Sequence, residues 1–126
     1  LDQYAYKLKK NLIHKNVDFF LNDGECCDSE MDEIACWRKH YYFNHFMDEL
    51  YYGKGGQKEI FNCCWLKLSA KDLDDLEIHL QNDQKYEEYD QYQEYEGELK
   101  DYDSKFITQA RDALKNGFDI VYTSDW

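Results

Sequence analysis

The chain has 126 residues, the length of one domain with its own hydrophobic core and no need of covalent staples. Its net charge of −12 opposes direct binding to nucleic-acid phosphates or anionic lipid, and no basic patch overrides that field. The 17% aromatic content, with 12 Tyr and 7 Phe, is foreign to acidic disordered chains, so the chain folds.

Residues 1–8 alternate Asp2, Tyr4, Tyr6 and Leu8 against Leu1, Gln3, Ala5 and Lys7, the two-residue period of a strand. Lys7, Lys9, Lys10 and Lys15 are interrupted by apolar residues, which places this strand at a sheet edge, followed by a solvated turn. Residues 11–28 fit either a short strand around Val17–Leu21 or a helical turn before Asn22-Asp23-Gly24.

From Ser29 the pattern predicts a helix running to about Tyr52 and stopping at Gly53, with Ser29 as cap and Asp32 in its first turn. Cys36, Phe43, Phe46, Met47 and Leu50 would share one side of it, and Ile34, Trp37 and Tyr41 nearly the opposite side. With both faces apolar, this helix is expected either to be sandwiched between two layers, with Trp37 and Tyr41 buried, or to keep one face for a partner.

Residues 60–68 are apolar on both alternating faces and suit a central strand. Ser69 caps a second helix that buries Leu73, Leu76 and Leu80, with Asp72, Asp74, Asp75 and Glu77 in its early turns. A third helix is expected from Ser104, burying Phe106, Ile107, Ala110 and Leu114 and ending at Asn116-Gly117. Residues 118–123 read as a closing strand. The fold class is therefore α+β, one domain over residues 1–126, with a small mixed or antiparallel sheet of about three strands packed with three helices.

The chemistry-bearing residues form no catalytic motif. Cys36 and His40 are four apart on the expected helix, but no C-x-x-C or H-x-x-x-H pair accompanies them, and no metal or cofactor is expected. Five cysteines, an odd number with the adjacent pairs Cys26-Cys27 and Cys63-Cys64, fit reduced core thiols in a cytosolic protein better than a disulfide framework. Gly53-Lys54-Gly55-Gly56 follows a helix, whereas phosphate loops precede one. The four histidines stand among so many carboxylates that none is singled out for acid–base work. No apolar run approaches the ~20 residues of a membrane span.

The segment 82–103 is dense in Tyr, Glu, Asp and Gln, and its tyrosines recur mostly every third residue. Tyrosine gives rigid contact area and spaced carboxylates give steering toward a basic partner, or imitate nucleic-acid charge. The expected contact residues are Tyr86, Glu87, Glu88, Tyr89 and Asp90, continuing through Tyr92, Glu94, Tyr95 and Glu96. A second candidate surface is Trp37, Arg38 and Tyr41, because arginine is scarce here and its guanidinium anchors carboxylates or stacks on rings.

Four blocks carry a family resemblance: Leu1-Asp2-Gln3-Tyr4-Ala5-Tyr6, Glu33-Ile34-Ala35-Cys36-Trp37-Arg38-Lys39-His40, Phe61-Asn62-Cys63, and Ile120-Val121-Tyr122-Thr123-Ser124-Asp125-Trp126. Together they resemble a family of small uncharacterised proteins encoded by tailed bacteriophages. The family usually has Tyr at the position of Cys36, and a Gly-Phe-rich segment where this chain has its acidic tyrosine segment. The resemblance implies a phage product in the cytoplasm of the infected bacterial host and implies no activity. The expected function is that of an accessory protein binding a host or phage protein with a basic surface. The alternatives are a small enzyme or nucleotide-binding module, and a virion component.

Overall fold

A computed structural model describes residues 1–19, 31–90 and 96–126, with the side chains at 90, 96 and 97 outside the description. The elements in order are β1 (Asp2–Lys9), β2 (Met31–Arg38), α1 (Tyr41–Gly53), β3 (Trp65–Leu68), α2 (Ala70–His79), α3 (Asp83–Asp90), α4 (Glu96–Lys115) and β4 (Phe118–Asp125). The four strands form one antiparallel sheet in the order β2-β1-β4-β3. The α+β class stands, with four strands and four helices among the described residues where about three of each are expected.

The largest correction is at residues 31–38, expected as the first half of a long helix and found as a strand. Ala35 and Trp37 turn inward while Cys36 and Arg38 stay exposed, a two-residue period that β1 completes by pairing. Ile34 absorbs a bulge, since Ala5 faces Ala35 and Tyr6 faces Glu33. Lys39 then takes a positive φ of 58° and donates its N–H to Leu1 O at 2.8 Å, so the helix starts only at Tyr41. Tyr41 is consequently exposed at the start of α1, not sandwiched. The expected cap, Ser29, lies outside the described residues.

Two strand placements also change. β1 is interior, paired with β2 and β4, and not an edge. β3 is shorter than the apolar run 60–68 and lies at the edge, where its double-sided apolar character is explained by a cover. Lys67 N–H donates to Asn16 O and Asp18 N–H to Trp65 O, both at 2.9 Å, and Val17 bridges to Leu66. The other edge is blunted by the Ile34 bulge, by exposed Asp32 and Glu33, and by the Tyr102 hydroxyl accepting the Cys36 N–H at 2.9 Å.

The helices pack on one sheet face, where Ala5, Ala35, Trp37, Leu66, Leu68, Ile120 and Tyr122 meet Phe43 and Met47 of α1, Leu73 and Leu76 of α2, and Phe106, Ile107 and Ala110 of α4. The opposite face carries a smaller cluster of Leu8, Val121, Ile13 and Phe19, with Tyr6 and Trp65 against it. α2 begins as expected, Ser69 and Asp72 forming a complete capping box. α4 begins at Glu96, eight residues before the expected Ser104, and ends in a turn where Gly117 has φ +84°. The tyrosine segment contains α3, which composition alone hides. Gly56 is held by contact, since a Cβ there would fall 2.2 Å from the Tyr51 ring.

Trp37 is the hub of this core: its ring lies 4.3 Å from Phe43 and 5.1 Å, edge-on, from Phe106. Trp37→Ala should therefore cost about 3–5 kcal/mol. Urea unfolding followed by circular dichroism reads the change, and a loss below about 1 kcal/mol would contradict the packing.

Candidate functional site

Asp103 stands at the first position of the α4 stripe that continues through Phe106, Ile107 and Ala110, so helix periodicity carries its carboxylate into the core. Three donors meet it there. Trp37 Nε1 lies 2.9 Å from Oδ1, and the Tyr86 hydroxyl (2.5 Å) and His40 Nε2 (2.7 Å) both reach Oδ2. His40 joins Trp37 and Tyr86 as a donor in the tautomer that carries its proton on Nε2. His40 itself is fully buried, and its backbone is held by Gln3, whose Oε1 accepts the His40 N–H at 2.8 Å while its Nε2 donates to His40 O at 3.0 Å. Gln3 Nε2 also donates to the Tyr122 hydroxyl, which donates to Asn44 Oδ1 at 2.8 Å. The chain of groups thus links β1, β4, the β2–α1 junction, α3 and α4.

Tyr86 and Asp103 also line an open cleft of about 360 Å³ between α2, α3 and α4, with Lys100 and Ser104 beside them. Lys100 pairs with Asp83 across it, fastening α3 to α4. With three side chains on it and almost no exposure, Asp103 is suited to holding the helices.

A second cleft, of about 290 Å³, opens between α1, α2 and the outer side of α3. Its wall is a series of nearly parallel rings: Tyr42 on His79 (4.2 Å, 27°), Tyr42 on Tyr89 (5.5 Å, 27°) and His45 on Tyr89 (5.5 Å, 26°). The Tyr42 hydroxyl donates to His79 O, and the His79 Nε2 lies 3.4 Å from Tyr42 O. Burial pushes the His79 imidazole below its ordinary value, with the nearby His45 adding to the effect. Burial likewise pushes the Tyr42 phenol up, with Tyr89 adding to it. Lys85 and His45 also line the cleft, Lys85 3.0 Å from Glu88 and His45 3.3 Å from Glu49.

The residues expected at a partner surface divide between the core and this cleft. Trp37 and Tyr86 are buried, 5% and 1% exposed, and meet at Asp103, so neither ring is presented outward. Glu87, Glu88 and Tyr89 are exposed on α3, and Tyr41 is exposed on α1 one turn before His45. Arg38 is exposed on the edge strand β2, apart from that cleft. Tyr92, Glu94 and Tyr95 lie outside the described residues, as do the side chains of Asp90 and Glu96.

Sequence reasoning missed Gln3 and Asp103, and weighed His40 and His79 among the four histidines without singling out either. Asp103 had a legible signal, a carboxylate on an otherwise apolar helical stripe. Among the described cysteines only Cys64 is the core thiol expected, while Cys36 and Cys63 are exposed; burial raises the Cys64 thiol, and local desolvation with the Asp125 carboxylate raises that of Cys63, which keeps both protonated and weakly nucleophilic. Among the described residues no three His, Cys, Asp or Glu side chains are grouped to hold a metal ion, and no helix is long and apolar enough to cross a membrane. Comparison with models of protein families, with curated proteins and with solved structures finds no match.

Two outcomes follow from this geometry. Asp103→Ala strands three buried donors and should cost about 3–5 kcal/mol in urea unfolding; a near-neutral result would show that the network is not holding the helices. His79 has a folded value below the ~6.5 of the unfolded chain, so on acidification the unfolded state takes up the proton first. Its contribution is complete above about pH 6.5 and is lost as pH falls through the lower folded value. Unfolding of the native chain and of His79→Phe at pH 7.5, 6.5 and 5.5 should give a shallower loss in the variant.

Proposed function

We propose that this chain is a small acidic accessory protein that binds a basic protein partner through the outward side of α3 and the ring-lined cleft beside it. The observation that carries the reading is the division of labour within α3. Tyr86 roots the helix through Asp103, while Glu87, Glu88 and Tyr89 on the same two turns are exposed. A short helix held rigid in this way presents carboxylates and an aromatic ring at little entropic cost, which favours both steering and a lasting contact.

The resemblance to small tailed-phage proteins supports placing the partner among host or phage proteins of the infected bacterial cytoplasm. The net charge of −12 supports a basic binding surface on that partner.

The test uses a partner captured from infected or uninfected host lysate and then purified. Surface plasmon resonance at low and high salt compares the native chain, a Glu87→Gln/Glu88→Gln variant and Tyr89→Ala. The charge variant should associate more slowly, with a flatter salt dependence, and Tyr89→Ala should mainly dissociate faster. Unchanged kinetics in both would remove this face from the contact and direct attention to Arg38 and Tyr41.

A further inference from the structure

We infer that the cleft between α1, α2 and α3 receives an arginine side chain of the partner, stacked on Tyr89 and flanked by carboxylates. This deepens, and rests on, the reading of the α3 face as the partner surface. Three features of the cleft carry it.

The first is shape and chemistry. The wall is made of rings lying within about 27° of parallel, Tyr89 against His45 and Tyr42, and Tyr42 against His79. Tyr89 keeps over a third of its surface in solvent, so its ring is available to a planar group, and Ile78 stands 67% exposed at the same cleft. Planar stacking distinguishes a guanidinium from an ammonium, which is a compact and strongly hydrated point charge.

The second is charge. Lys85 and His45 are the basic groups whose partners are seen, and each is already met by a carboxylate, Glu88 and Glu49. Asp48 acts on the same His45, and Glu87 follows on the exposed turn of α3. The lining of the cleft itself holds no carboxylate, so the acceptors stand one residue back, paired with its two basic groups Lys85 and His45. A guanidinium beside Tyr89 would take Glu88 in exchange with Lys85 or Glu49 in exchange with His45, and its five donors suit such divided anchoring.

The third is the floor. His79 is half-buried, is stacked on Tyr42, and has its ring nitrogen facing a backbone carbonyl. Burial keeps it neutral near pH 7, so the floor presents rings and not a second positive charge.

The experiment is a titration of the isotope-labelled chain, followed by two-dimensional NMR, with three hexapeptides of equal length containing arginine, lysine or citrulline at two positions between glycines. The arginine peptide should bind about two- to fivefold more tightly than the lysine peptide, the range of one exposed cation–π contact, and should shift the His45, His79 and Tyr89 resonances. The citrulline peptide should bind more weakly than both. Tyr89→Ala should abolish the preference for arginine, whereas Tyr89→Phe should keep it. Equal binding of arginine and lysine peptides, or shifts confined to α2 around Asp74 and Asp75, would overturn the arginine pocket while leaving the acidic face as a partner surface. If neither cationic peptide bound, the inference would fall, and partner binding measured with Glu87→Gln/Glu88→Gln would decide the broader reading separately.

Discussion

A carboxylate carried into a core of aromatic rings must either meet donors or be expelled toward water, because burying it unpaired costs far more than a domain's net stability allows. Asp103 meets three donors, and each comes from a different part of the chain: the indole of β2, the imidazole at the β2–α1 junction and the phenol of α3. The requirement therefore fixes where three elements sit relative to α4. Apolar packing alone is tolerant of sliding, whereas three directed hydrogen bonds to two oxygens are not. Gln3 extends the same logic to the sheet. As a polar residue in the interior strand β1 it would be a fault, but its amide closes two bonds with the His40 backbone and one with Tyr122.

This network also explains why the residues of the tyrosine segment divide as they do. Spacing by three moves each ring about a sixth of a turn back around a helix, so consecutive tyrosines cannot all share one face. Tyr86 points at Asp103, and Tyr89, one turn on, is left at the rim against Tyr42 and His45. One side chain type thus serves two purposes, since a phenol brings both apolar area and a hydroxyl that a buried acceptor needs. The tyrosine enrichment signals contact of some kind; only the position of Asp103 decides which ring goes inward.

Local signals in the sequence were sufficient where the deciding interaction is itself local. The Ser69–Asp72 capping box, the Leu73/Leu76/Leu80 stripe, the Phe106/Ile107/Ala110 stripe and the Gly117 stop lie within a few residues of what they determine. The strand misplacements are non-local, whereas α3 and the early start of α4 are hidden by the composition of the tyrosine segment. Residues 31–38 satisfy a helical period and a two-residue period at once, and the choice is made by β1, some thirty positions earlier in the chain. The apolar run at 60–68 looks central because both its faces are covered, yet the cover is the irregular segment around Val17, which no periodicity reveals. The ring-lined cleft was equally invisible, because His45, His79 and Tyr89 come from three helices and each is unremarkable alone.

The charge distribution over the helical layer bears on how such a site would work. Arg111 reaches both Asp74 and Glu77 from α4 to α2, Lys100 reaches Asp83, and Lys71 and Lys85 pair with acids within their own helices. Exposed pairs of this kind contribute little to stability, typically ~0–1 kcal/mol. Their more consequential effect is on the field. A chain of net charge −12 repels itself, and cations set among the carboxylates of α2, α3 and α4 reduce that repulsion locally without neutralising the surface as a whole. The two pairs at the cleft, Lys85 with Glu88 and His45 with Glu49, differ from the rest in standing beside exposed rings. A cation arriving there competes for carboxylates held only by weak, solvent-screened pairs, so little is lost in exchange for the stacking it gains. Lys100 also stands over a ring, 5.6 Å from the centroid of Tyr86, but that ring is 1% exposed and closed to a second cation, so on the proposed reading the acidic excess, though spread over the molecule, favours the cleft beside Tyr89.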